Sequence, residues 1–253
     1  MQKYGKWMAN LYDNVDQWGG FSLKYTPALY SFFEQKGLKG AVLDLCAGTG
    51  TSALAFLKKG HQVVLVDRSP DMLNVARQKL YYYILKKRAV LIEADAAAFS
   101  VPEDISFEFA YSLYDAMNHL ESLESLKSCF GNVYLSLKEG GFFVFDMNTS
   151  QGLLKSNKLN VYDNGGVFIL EKGIYHPGMD SAYITIDGFQ RQADGNYVRF
   201  EELIYNKVYA MNEIKKVLEN TGFTRIYCAT ASDLNVPVAD PEQEDRVYFV
   251  CQK

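Results

Sequence analysis

Three aspartates, Asp44, Asp67 and Asp95, each follow a short apolar run, and each run is separated from the next by a helical pattern. Carboxylates at successive strand ends suit a ligand that carries hydroxyls or positive charge. In an open α/β sheet, ligands collect at the carboxyl ends of the strands. After the first aspartate comes a small-residue turn, Cys46, Ala47, Gly48 and Gly50. Glycines there let the backbone turn tightly and approach a ligand where a Cβ would collide. A row of acids beside such a turn is built to hold a nucleoside with a charged or hydroxyl-rich part. A second group of chemical side chains, Asp115, Asn118 and His119, follows the fourth apolar run, and Tyr12 and Tyr25 lie in an aromatic N-terminal segment. His119 is the side chain best suited to take a proton near neutral pH.

The elements that must position these groups are legible in outline. Strands are expected near 41–46, 62–67, 89–93, 107–112 and 141–147, with helices near 51–59, 70–82 and 121–137. Ser69 before Pro70 and Asp71 is a helix start. This alternation predicts a doubly wound, mainly parallel sheet. Residues 4–36 read as helical, with breaks at Gly19 and Gly20 and before Pro27. Beyond 150 the alternation stops. Extended runs at 167–170, 182–191 and 197–209, with an Asp194-Gly195 turn, predict an antiparallel insert. A helix at 211–220 and strands at 223–230 and 247–251 close the chain with an antiparallel hairpin. The expected organisation is a helical lid at 1–37, a main domain at 38–150 and 210–253, and a β insert at 151–209 covering the site.

Composition narrows the function classes. The 253 residues are 48% hydrophobic and 22% charged, with a net charge of −4. That balance disfavours a nucleic-acid partner, which needs a basic face. Lys86, Lys87 and Arg88 form the one dense basic cluster, read as a solvated turn. No apolar run approaches the ~20 residues that span a bilayer, so no membrane role and a cytoplasmic location are expected. Four scattered cysteines lack metal-site spacing, so reduced thiols and no metal are expected. The 18 Tyr and 16 Phe crowd the N-terminal segment and the insert, which implies a roofed pocket for a small molecule. The aromatic face of the insert (Tyr183, Phe189, Phe200, Tyr205, Tyr209) packs either on the main domain or on a second copy, as a homodimer. His61 and His176 have no partner pattern and are read as surface residues; Arg191 and Arg199 could meet an anionic substrate such as a nucleotide sugar or carboxylate, but are read first as a solvated strand face.

Five segments in order carry a resemblance: 44–50 (DLCAGTG), 67–73 (DRSPDML), 93–96 (EADA), 115–120 (DAMNHL) and 137–146 (LKEGGFFVFD). On these the chain resembles the class I S-adenosylmethionine (SAM)-dependent methyltransferases, most closely small-molecule members such as the amino-sugar and glycine N-methyltransferases. The resemblance implies a seven-stranded sheet and SAM as cofactor. It implies that Asp44 meets the methionine ammonium, Asp67 the ribose hydroxyls, Asp95 and the Ala96 N–H the adenine, and Met72 the adenine face. Cys46, Ala47, Gly48, Gly50, Arg68 and Leu113 would line the cofactor site. The family has glycine where this chain has Cys46. Catalysis would fall to His119 and to Tyr12 of the lid, with a small-molecule amine as acceptor. The glycines from Gly48 onward also fit the loose nicotinamide-dinucleotide fingerprint, with Asp67 as its ribose acid, so an oxidoreductase is the rival reading. A SAM-binding protein without catalysis is the other.

Overall fold

The structure is a computed structural model, and it describes residues 4–253. Residues 1–3, part of the expected lid, lie outside the described residues. Two helices come first, α1 (Lys6–Leu11) and α2 (Asp16–Gln35). The helix α2 runs unbroken through Gly19-Gly20 and Pro27, where the sequence predicted breaks. Burial overrides local preference here. Leu29, Phe32 and Phe33 are at most 2% exposed, and each such side chain stabilises by about 1.5–3 kcal/mol. The carbonyl that Pro27 cannot serve belongs to Leu23, which stands at an exposed position.

The main sheet is built from β1 (Ala41–Leu45), β2 (Val63–Asp67), β3 (Ala89–Glu93), β4 (Phe107–Ser112), β5 (Leu137–Asn148), β10 (Thr224–Thr230), β11 (Asp233–Pro237) and β12 (Arg246–Gln252), in the order β11-β10-β12-β5-β4-β1-β2-β3. β1 through β5 pair parallel, while β12 enters antiparallel beside β5. The expected seven strands are present, and β11 adds an eighth at the edge. The sheet is mixed α/β with a parallel centre, as predicted. The helices α3 (Thr51–Lys58), α4 (Pro70–Lys79), α5 (Tyr81–Leu85), α6 (Leu123–Ser136) and α8 (Met211–Thr221) accompany it. The single helix expected at 70–82 is split at Leu80, which caps both α4 and α5. On one face Leu43, Phe143, Phe145 and Phe249 pack with Phe130 of α6 and Leu218 of α8. On the other, Val42, Tyr111 and Val144 pack with Phe33 of α2 and Phe56 of α3.

A second, antiparallel sheet follows the short helix α7 (Ser150–Lys155). It comprises β6 (Leu159–Asp163), β7 (Val167–Ile174), β8 (Ser181–Arg191) and β9 (Tyr197–Lys207). Its inner face, with Ile169, Ile186, Phe200 and Ile204, packs on Met8, Leu11 and Trp18 of the N-terminal helices. Phe200 lies directly over Gly188, where a Cβ would meet its ring at 2.2 Å. Phe189 is 41% exposed on the opposite face, so the aromatics of this sheet divide between two faces rather than sharing one.

Candidate active site

The glycine turn after β1 is shaped by backbone conformation. Cys46, Gly48 and Gly50 all have positive φ, at 58°, 53° and 71°. That region favours glycine, which is why Cys46 departs from the family's preference at a cost of backbone strain. Gly50 is required by packing, since a Cβ there would come within 3.1 Å of Leu65 and Leu80. Around Gly48 a Cβ would meet nothing within 4 Å. The turn therefore leaves an open cradle on its outer side.

Asp67 ends β2 beside this cradle. Its Oδ2 accepts the Gly48 N–H at 2.7 Å and its Oδ1 the Ser69 N–H at 2.8 Å. Each carboxylate oxygen keeps a second lone pair, so two hydroxyls of a sugar could still be accepted. Burial raises the Asp67 pKa, against the lowering effect of those N–H donors. Asp44 is more deeply placed, and its Oδ2 accepts from the Tyr111 hydroxyl at 2.8 Å. Burial pushes its pKa up to about 8. It opens into a recess of about 30 Å³ shared with Ala47, Thr49, Ser52, Leu113 and Tyr12. A neighbouring cavity of about 60 Å³ is lined by Cys46, Gly48, Asp67, Arg68, Met72 and Leu113, with His119 at its end and Tyr4 and Tyr12 across it. Asp95 and Ala96 are not brought into that cavity. Ala96 is 1% exposed within the core. Asp95 accepts the Ala97 N–H at 2.9 Å, pairs with Arg68 at 3.5 Å and faces a separate hollow. Arg68 lines both hollows and stands at their join.

The N-terminal segment, expected to serve as a lid, is fastened to the glycine turn by Asp13. Its Oδ1 accepts from the hydroxyls of Thr49 at 2.7 Å and Thr51 at 3.0 Å, and its Oδ2 pairs with Lys79 of α4 at 2.7 Å. Ser69 adds a hydrogen bond of 2.8 Å to the Tyr4 carbonyl. The rings of Tyr4 and Tyr12 lie 6.5 Å apart, and Tyr12 meets Tyr114 at 6.1 Å. Burial raises both phenol pKa values, so these tyrosines act as neutral hydroxyls rather than bases. Tyr25 is elsewhere, in a surface hollow beside Tyr248.

A larger cavity of about 190 Å³ lies between lid, second sheet and the end of β4, lined among others by Tyr12, Asp115, His119, Glu171, Asn206 and Arg246. His119 and the two lid tyrosines border both this cavity and the smaller one. The histidine Nδ1 lies 2.7 Å from the Tyr205 carbonyl oxygen. A carbonyl only accepts, so Nδ1 carries the proton and Nε2 presents its lone pair. The Tyr4 hydroxyl meets Nε2 at 3.2 Å. Burial lowers the His119 pKa from its usual value, opposed by Asp115 and by the Tyr205 carbonyl.

Beside it, Tyr114 and Asp115 both adopt left-handed backbone, with φ of 69° and 47°. Each such residue costs of order 1–3 kcal/mol. Asp146 of β5 holds them there, accepting the Tyr114 N–H at 2.6 Å and the Asp115 N–H at 2.9 Å. Arg246 of β12 bridges Asp146 and Asp115, meeting Asp115 Oδ1 at 2.8 Å. Burial works against the Arg246 charge, but the two carboxylates outweigh it and raise its pKa. Its guanidinium lies over Phe21 at 4.6 Å and Tyr114 at 5.7 Å. Asn118 bonds the Asn148 and Lys207 carbonyls and accepts the Asn148 N–H, which organises the backbone after β4. His61, read as a surface residue, has a partner in the Tyr30 hydroxyl at 3.3 Å. Arg199 pairs with Asp187 and Glu201 on an exposed strand face, away from the cavities. Within the basic cluster, Arg88 is tied to the Leu57 and His61 carbonyls, while Lys86 and Lys87 are exposed.

Sequence reasoning placed Asp13 with Tyr12 in a lid motif but assigned it no partner, and gave Tyr4 and Arg246 no role in the site. Asp13 had a signal, since it adjoins Tyr12 in the lid. Arg246 had none, because it reaches its partners from 100 and 131 residues away in sequence.

Residues 42–141 match the model of a methyltransferase domain. Over those residues the chain is similar to methyltransferases. A Geobacillus sp. (strain WCH70) protein that bears the name of methyltransferase is 26% identical over 259 residues, covering 100% of this chain and 99% of its own. The structure of a SAM-dependent methyltransferase from Clostridium acetobutylicum ATCC 824 superposes with a TM-score of 0.79 at 24% identity, over 97% of both chains. The sugar N-methyltransferase KedS8 from Streptoalloteichus sp. ATCC 53650 gives a TM-score of 0.71 at 19% identity, over 92% of this chain and 86% of its own. The domain match decides against the nicotinamide reading of the glycine turn. The Clostridium structure of similar fold is by title SAM-dependent, and the open cradle at Gly48, the Asp44 recess and the Asp67 carboxylate offer the space and acceptors that such a cofactor would need. Among the described residues, no helix is long and apolar enough to cross a membrane.

Proposed function

We propose that this methyltransferase methylates an amine nitrogen of a small molecule, with His119 as the base. The observation that carries the reading is the His119 tautomer: Nδ1–H is engaged by a backbone carbonyl, and the Nε2 lone pair borders both cavities. SAM supplies a methyl group already activated by a positively charged sulfur. The chain's residues therefore need only hold two partners in line, exclude water and take one proton. Asp44 receives the ammonium end of the cofactor, Asp67 its ribose, and Met72 and Leu113 its base. Arg68 lies at the join toward Asp95 and would have to move for Asp95 to reach the adenine. Tyr12, a neutral phenol spanning both cavities, orients the acceptor. A cavity of about 190 Å³ is below the ~300 Å³ usual for ligand pockets, which suits a small acceptor under a closed lid. KedS8, similar in fold, is by name a sugar N-methyltransferase, and an amino sugar is accordingly the first acceptor to test.

The test is methyl transfer from labelled SAM to a panel of amino sugars and their hydroxyl counterparts. Transfer to the amines alone is expected. His119→Ala should lower kcat by roughly a hundred-fold while leaving SAM affinity little changed. The wild-type rate should fall toward acid pH, with an apparent pKa below the ordinary ~6.5 because burial disfavours the imidazolium. Transfer to hydroxyls in preference to amines would overturn the reading.

A further inference from the structure

We propose that Asp115 and His119 form a two-point seat for the acceptor nitrogen, and that the Tyr4 hydroxyl holds this seat until the acceptor arrives. The assignment rests on the amine reading above and adds a second catalytic group to it. Asp115 Oδ2 lies 4.0 Å from His119 Nε2. A nitrogen at an ordinary hydrogen-bond distance of ~2.8–3.0 Å from each fits that span. The Tyr4 oxygen already stands 3.2 Å from Nε2, on the border of both cavities.

The geometry of Asp115 is imposed from three directions. Its N–H is held by Asp146, its Oδ1 by Arg246, and its backbone by a left-handed φ of 47°. With Oδ1 committed, Oδ2 is the oxygen presented to the histidine. The strained pair Tyr114-Asp115 thus serves to aim one carboxylate oxygen into the cavity. Charge selects the occupant. Arg246 is one cation between two carboxylates, Asp115 and Asp146, so the cluster keeps one net negative charge. Glu171 and Lys158 line the same cavity with opposite charges, so the balance stays at one negative; among the described residues the Glu171 oxygens meet neutral donors, Trp18 Nε1 at 3.1 Å and Asn160 Nδ2 at 2.9 Å. Such a seat favours a protonated amine over an alcohol of the same shape.

An ammonium group would donate one N–H to Asp115 Oδ2 and another to His119 Nε2. The second proton passes to Nε2, leaving the electron pair on the acceptor nitrogen and an imidazolium beside the Asp115 carboxylate. Asp115 thereby binds the cation first and then stabilises the protonated base. Arg246 is a positioning residue that acts through Asp115.

The experiment is calorimetric titration of the full chain, loaded with the demethylated product of SAM, by two matched pairs of probes: cyclohexylamine with cyclohexanol, and glucosamine with glucose. At least one amine should bind roughly ten-fold or more tightly than its alcohol, the scale of one charge-assisted hydrogen bond. Asp115→Asn should abolish that preference while keeping its affinity for the demethylated product. Tyr4→Phe should bind the amine more tightly, because no hydroxyl needs displacing. An amine preference retained in Asp115→Asn would overturn the seat and leave the amine reading standing. No amine preference in the wild type would overturn both. If Asp115→Asn failed to hold the demethylated product, Tyr4→Phe would decide: tighter amine binding supports the seat, and unchanged binding overturns it.

Discussion

With Asp44 receiving the cofactor's ammonium as proposed, cofactor binding becomes a proton-release event. Burial pushes its pKa up to about 8, so at pH 7 roughly nine in ten molecules of the ligand-free protein carry a proton there. An ammonium arriving at the recess favours the carboxylate and lowers that pKa. Ionising the group at pH 7 costs about 1.4 kcal/mol, one pK unit. Charge-assisted hydrogen bonds return ~1.5–3 kcal/mol, so ionisation wins on binding. Binding of SAM or its demethylated product at pH 7 should therefore release roughly half to nearly one proton. Affinity should rise roughly two- to six-fold between pH 6 and 7, with about nine-fold as the ceiling for complete ionisation. The ligand's own α-amino group, near ~7.7–8.0, is cationic in the lower window, so the proton must come from the protein. Calorimetry at pH 7 in buffers of different ionisation enthalpy counts it. Asp44→Asn should bind more weakly, with little proton release. Wild type releasing less than about 0.2 proton, or the variant releasing as much as wild type, would refute the argument. The same proton affects stability. The folded chain keeps it to about pH 8 and the unfolded chain loses it near ~4, so the ligand-free protein should lose stability as pH rises across that window.

Asp67→Ala removes both the proposed ribose contacts and the holds on the Gly48 and Ser69 N–H groups. It should weaken SAM by roughly ten- to a hundred-fold and also lower Tm, read by calorimetry and thermal melting. Asp13→Ala cuts the lid from Thr49, Thr51 and Lys79. Those contacts are partly exposed and worth little globally, so Tm should move by a few degrees at most. Hydrogen exchange in residues 4–15 should nevertheless rise in the ligand-free protein and be suppressed again by SAM.

The parallel half of the sheet was legible because its strands are short, apolar and punctuated by acids and turns. β1 and β2, five residues each and almost wholly buried, write that pattern plainly. The edge strands did not. β6 alternates exposed Leu159 and Val161 with half-buried Asn160 and Tyr162, and it is fixed by its ladder to β7 rather than by its own composition. β11 is a five-residue edge strand of the same kind. The helix α2 was misjudged at its glycines and proline because the apolar face that holds it straight acts through tertiary contacts. In the site, Asp44, Asp67, Gly48 and His119 announced themselves by position after a strand. Asp95 sits where its strand promised, but it faces a separate hollow from the cavity that Asp67 lines, with Arg68 bordering both.

Arg246 comes from β12, and the carboxylate it meets on β5 is 100 residues earlier in the chain. Until β12 inserts between β5 and β10, Asp115 and Asp146 face each other with no cation between them. Their mutual repulsion works against the left-handed turn that aims Asp115. The geometry of the proposed seat is therefore among the last things the folding chain acquires, because it waits on a contact of high sequence separation. Collapsed intermediates with β1–β5 already paired would bind nucleoside before they could turn over. During refolding, recovery of cofactor affinity should run ahead of recovery of activity, and the interval between them measures the docking of one strand.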